Sequence, residues 1–120
     1  MFHRRRVWCV STASSAEELA DKLASTNWCC CTGFELGGYL FLNDSTSPDG
    51  AQEYAVLKKN GGNNLFIQIE SMTFGWCDEP EALEFVRETL AGRYDHNSFA
   101  REVVALLETP EEHGRCPHCT

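Results

Sequence analysis

The sequence predicts an α+β fold: a largely antiparallel four-stranded sheet, in the element order β-α-β-β-β-α-α, with the helices packed on one face. Three observations carry that expectation. Segments with period-two alternation cluster in the middle of the chain. Helical i, i+3, i+4, i+7 patterns come mainly after them. The strands between are joined by short turn-forming stretches, which imply an antiparallel meander.

Residues 5–12 read as the first strand, with Trp8 and Val10 on one face and Val7 and Cys9 on the other. Ser14 and Ser15 each precede a glutamate by three residues, Glu17 and Glu18, so either pair can form a capping box. The helix that follows has Ala16, Leu19, Ala20 and Leu23 as its buried stripe and fades near residues 25–27. Trp28 to Phe34 is short and rich in cysteine, and Tyr39 to Leu42 is a strand flanked by Gly33, Gly37 and Gly38. These glycines do not lie between a strand and a helix, so they read as sites of a bulge or close packing, not as a phosphate loop. Residues 43–50 are dense in turn formers and read as a loop; the oxygen-rich Asn43–Thr46 and Asp49 lack the spacing of a calcium loop.

Residues 52–59 form the next strand, and Asn60-Gly61-Gly62-Asn63 supplies a hairpin turn into the longest strand, 64–76. Asp78 and Glu81 match a capping box around Pro80, opening a helix with Leu83, Val86 and Leu90 as its stripe and Gly92 as its stop. Asn97 or Ser98 caps a third helix carrying Phe99, Val103, Leu106 and Leu107; Thr109-Pro110 ends it or starts a further turn. Residues 1–109 are expected to form a single domain, and 110–120 a cysteine-containing tail clipped to it.

The chain has 120 residues, 42% of them apolar and 23% charged, enough to bury a core without staples. No apolar run approaches a membrane span. The basic start gives way to Ser11-Thr12 without an apolar stretch of the kind a secretory leader needs, so a cytoplasmic location is expected. The net charge of −8 is the wrong sign for binding a phosphate backbone, so no direct nucleic-acid binding is expected. Nearly all of that charge lies in residues 78–112, where ten acids face Arg87, Arg93 and Arg101. An acidic surface of this kind is either a solvated helix face or a docking face for a basic protein partner.

Seven cysteines without a leader point to free or metal-bound thiols. Cys116 and Cys119 form a C-x-x-C and Cys29 and Cys31 a C-x-C whose thiols share one side if the chain is extended. Together they are the expected ligands of one structural Zn²⁺, with His113 and Cys77 as alternates. Such a site would clip the tail beside the start of the sheet. Cys9 and Cys30 read as small buried hydrophobes, and the tryptophans beside Cys9, Cys29 and Cys77 as core.

The tetrapeptide Cys116-Pro117-His118-Cys119 is similar to the active-site sequence of DsbA-like disulfide oxidoreductases. The resemblance implies a redox pair opening a helix whose N-terminus stabilises the thiolate. One residue follows Cys119 and no βαβ unit surrounds the motif, so the pair reads as metal-binding or reduced. A thiol enzyme using Cys77, with His96 as its base, or using the Cys116/Cys119 pair is the alternative function. Another is an acidic nucleic-acid mimic that blocks a nucleic-acid-binding protein. The leading expectation is a zinc-stabilised binding or regulatory protein with no catalytic residues.

Overall fold

The computed structural model describes residues 7–24, 31–46, 52–61, 64–74, 79–98 and 100–113. Strand β1, Val7–Thr12, is followed by helix α1, Ala16–Ala24, and strands β2, Thr32–Leu36, β3, Tyr39–Thr46, β4, Gln52–Lys59, and β5, Leu65–Phe74. Helix α2, Glu79–Leu90, then leads to two short strands, β6, Arg101–Val104, and β7, Leu106–Glu108, and a last turn of helix, α3, Pro110–His113.

The strands form one mixed sheet in the order β6-β5-β4-β3-β2-β1-β7, curled into a half-barrel. This overturns the expected four-stranded, largely antiparallel sheet, while the broad α+β class remains. Three differences produce the correction. Gly33, expected only to flank a strand, lies inside one and pairs with Leu42. A Cβ at Gly33 would fall 2.4 Å from Leu42 Cδ2 and 3.2 Å from Val10 Cγ2, so the glycine is there for close packing of β1, β2 and β3. The presumed loop at 43–50 begins with strand up to Thr46.

The third difference is the expected helix over 97–107, which is instead β6 and β7. Its apolar pattern fits either state over so few residues. Val103 and Val104 favour the extended one, and each strand half finds a sheet edge to pair with. β6 runs antiparallel to β5 (Leu65↔Val104, Gln68↔Arg101), whereas β7 runs parallel to β1 (Val7↔Leu106, Cys9↔Glu108). Only Ala105 separates them, so one stretch of chain serves both edges of the curled sheet.

Local chemistry explains the other elements. Ser15 caps α1 by accepting from the Glu18 N–H at 3.1 Å. The Glu18 carboxylate reaches back to accept from Ser14 N at 2.9 Å and from the Ser14 hydroxyl. α1 is the crossover that makes β1 and β2 parallel. β2 and β3 are joined by Gly37-Gly38, both at positive φ (60° and 86°), as a two-residue hairpin with this twist needs.

The alternation of the strands builds two cores. On the convex face Phe34, Phe41, Tyr54, Val56 and Ile69 meet Leu19 and Leu23 of α1 and Ala82, Phe85 and Val86 of α2. On the concave face Leu40, Leu42, Ala55, Leu57, Phe66 and Ala105 pack with Trp8, Val10, Val103 and Leu107. The sheet buries this second set by curling on itself, with no helix over it among the described residues. Trp8 Nε1 donates to the Asn43 carbonyl at 3.2 Å, beside the β3 bulge between Asn43 and Ser45. Among the described residues no helix is long and apolar enough to cross a membrane.

Candidate functional site

The β4–β5 register places Val56 opposite Glu70 and then Leu57 opposite Gln68, so Ile69 is an extra residue in β5. Such a bulge bends the strand and re-aims its side chains. Asn97, in the turn after α2, fills it: its Nδ2 donates to the Ile69 carbonyl at 2.7 Å and to Glu70 Oε2 at 3.3 Å. The consequence is that Glu70 sits opposite Val56, on the face that carries α2.

Glu70 and Met72 of β5 and Glu81, Glu84 and Glu88 of α2 border a groove of about 340 Å³ whose apolar lining includes Phe85 and Tyr94. The Tyr94 ring lies 5.4 Å from that of Phe85, centroid to centroid. Its hydroxyl donates to Glu88 Oε2 at 3.2 Å, and Arg93 Nη1 donates to Glu88 Oε1 at 2.8 Å. Burial, then the neighbouring Glu88 carboxylate, pushes the Tyr94 pKa up, so the ring keeps its proton. Arg87, the one base of α2, pairs instead with Glu17 of α1 at 2.9 Å. The nearby arginines are thus engaged outside the groove or on Glu88. Glu81 and Glu84 are exposed on the α2 rim of the groove.

The turn that carries Tyr94 and Asn97 is held on the sheet by Asp95. Its carboxylate accepts from Tyr39 Oη at 2.7 Å and pairs with Lys58 Nζ at 2.8 Å. Tyr39 and Lys58 are cross-strand partners on β3 and β4. The Lys58 and then the Tyr39 hydrogen bond hold the Asp95 carboxyl below the usual range. Burial, followed by Asp95, pushes the Tyr39 hydroxyl up. A protonated phenol, an occupied lysine and a paired carboxylate make a structural tie, not an acid–base couple.

The thiols are distributed differently. Cys9 lies on β1, half-buried, and its N–H donates to the Cys31 carbonyl at 2.7 Å at the entry to β2. Burial, then Glu111 and Glu108, raises its pKa, which disfavours the thiolate. Of the residues expected to hold zinc, Cys31 begins the β2 segment and His113 ends α3. Cys29, Cys77, Cys116 and Cys119 lie outside the described residues. Among the described residues no three His, Cys, Asp or Glu side chains gather as a metal requires. His96, the expected partner of Cys77, is exposed in the turn after α2.

The acidic helical surface read from 78–112 is therefore divided. Glu84 and Glu88 line the groove with Glu81, but Glu102 lies on β6 and accepts from Asn60 Nδ2 at 2.9 Å. Glu70 was missed as a member of the groove, because strict alternation along 64–76 puts it on the opposite face from Ile67 and Ile69; no residue type marks the bulge. Compared with known proteins, the chain matches no family model, and no curated protein or solved structure resembles it at a significant level.

Proposed function

We propose that this is a small acidic binding protein that docks a basic segment of a partner protein in the groove between α2 and the bulged part of β5. The observation that carries the reading is the convergence of Glu70 from the sheet with Glu81 and Glu84 from the helix over Phe85, Met72 and Tyr94. A lysine or arginine side chain has the matching form: an apolar stem to lie on the aromatic floor and a cationic head to meet the rim carboxylates. Opposite charge on the two surfaces also speeds encounter. The chemistry does not require catalysis.

The test uses a fluorescent peptide of alternating lysine, arginine and leucine, followed by anisotropy. The double reversal Glu81→Lys/Glu84→Lys should weaken binding by at least about tenfold, since like charges then face the peptide. Asp21→Lys/Glu112→Lys, at exposed positions of α1 and α3 away from the groove, changes the net charge equally, is the control and should have a far smaller effect. Equal losses in both variants would mean that net charge alone, and not the groove, attracts the peptide.

Structural zinc on Cys29, Cys31, Cys116 and Cys119, with His113 or Cys77 in reserve, belongs to the same proposal. Its support is that α3 packs against β1, so the chain at 113 returns to the strand whose Cys9 bonds Cys31. Three residues separate His113 from Cys116, a length of roughly 10 Å if extended. Protein purified without added zinc should carry about one equivalent of metal, as a single four-ligand site holds one ion. Metal-free protein with the same stability would remove zinc from the proposal.

A further inference from the structure

The concave face of the half-barrel holds a second cavity, of about 490 Å³, within the range of small-molecule sites. Leu40, Phe66 and Leu107 give it an apolar lining, and Glu35 and Lys59 stand at it from β2 and β4. The register explains the placement. Glu35 pairs with Leu40 and Lys59 with Phe66, so both charged residues share the face of the concave core. They are two strands apart and offset along them, so their Cα atoms are separated by roughly 12 Å. Gly38, beside Lys59 at the start of β3, puts no side chain into the space, and a Cβ there would meet nothing within 4 Å.

Interiors of small barrels are ordinarily filled by side chains. Here two opposite charges, both exposed, stand at the rim of the concavity without pairing to each other, and neither side chain has an ion pair among the described residues. An anion in the cavity would meet Glu35, and a cation would meet Lys59. A molecule that carries both signs on one head group, with an apolar body, satisfies the whole lining.

We propose that this cavity binds a free α-amino acid with an apolar side chain. Its ammonium group meets the Glu35 carboxylate, its carboxylate meets the Lys59 ammonium, and its side chain lies over Leu40, Phe66 and Leu107. The site is on the opposite face of the sheet from the acidic groove and stands independently of the docking role.

The experiment is an amide-resolved NMR titration of the full chain with L-phenylalanine. Two analogues accompany it: N-acetyl-L-phenylalanine, which lacks the ammonium group, and L-phenylalaninamide, which lacks the carboxylate. The zwitterion should give saturable shifts at Gly38, Leu40 and Phe66, and each analogue should bind about tenfold more weakly, the loss of one charged hydrogen bond. Lys59→Met should weaken L-phenylalanine about tenfold and leave the amide analogue unchanged. Absence of saturable shifts at these amides overturns the site. Equal binding of all three molecules overturns the head-group assignment. The ligand series on the native chain decides the matter even if the variant fails to fold.

Discussion

At the scale of single residues, two positions show how much this fold asks of one side chain. Gly33 is buried between Val10 and Leu42, and its missing Cβ is what allows β1, β2 and β3 to approach. Gly33→Ala places a methyl group against the buried Leu42 and should destabilise the protein by about 1–3 kcal/mol, the usual cost of overpacking. Urea unfolding at neutral pH measures it; an unchanged midpoint would mean that Leu42 has room to turn aside. Asp95 has the opposite character, since it acts through its charge. Its carboxyl is held below the usual range by Lys58 and Tyr39. A group with a depressed folded pKa contributes stability that is present above its unfolded value, about pH 4, and is lost as the pH falls through the lower folded value. Asp95→Asn should therefore lower stability at pH 7, by up to about 1 kcal/mol given the exposure of Lys58. It should also flatten the decline of stability between pH 5 and the acid limit. Unfolding midpoints for both proteins across that interval test the direction, and parallel curves would show that Asp95 carries none of the acid sensitivity.

At the scale of elements, the β5 bulge links sheet geometry to the groove. An extra residue leaves a backbone carbonyl out of the ladder, and Asn97 answers it at Ile69 while also touching Glu70. Asn97→Ala should cost about 1 kcal/mol, seen as a fall of a few degrees in Tm. It should also weaken capture of the basic peptide, because Glu70 loses a tether. A loss of stability with full peptide affinity would show that Glu70 is placed by the strand alone. The same element shows where reading a sequence succeeds and where it stops. α1 was legible because capping residues and an apolar stripe act within a few positions: Ser15 and Glu18 close its start, and Leu19 and Leu23 are buried. α2 was legible from its apolar stripe, its expected cap Asp78 lying outside the described residues. β4 and β5 were legible from alternation and turn residues. β2, β6 and β7 were not, because what makes them strands is a neighbour distant in sequence: Val10 and Leu42 for Gly33, and β5 and β1 for 101–108. Of the groove, Glu81, Glu84 and Glu88 were visible as helix-face charge, whereas Glu70 was hidden by a bulge with no signature of its own.

At the scale of the whole molecule, the stretch from Arg101 to Glu108 decides how the sheet ends. A curled sheet has two edges whose free N–H and C=O groups invite pairing with other chains. Here one bent strand covers part of both, pairing β5 before Ala105 and β1 after it. Ala105 is 1% exposed, packs into the concave core, and donates its N–H to the Asn64 carbonyl at 3.0 Å. The concave core is thereby closed by backbone pairing where the convex core is closed by helices, so the two cores have different means of failing. Ala105→Pro removes the donor at the bend and leaves the Asn64 carbonyl without that partner, at a cost of about 1–3 kcal/mol. Because one segment serves both edges, β6 and β7 should be lost together. Hydrogen exchange should quicken at the Leu65–Gln68 and Val7–Cys9 edges in parallel, while amides of α1 and α2 stay protected for longer. Exposing two edges at once should also make the variant self-associate with rising concentration. Faster exchange at the β5 edge with full protection retained on β1 would show that β7 docks independently of β6, and that the half-barrel does not depend on a shared strand for its closure.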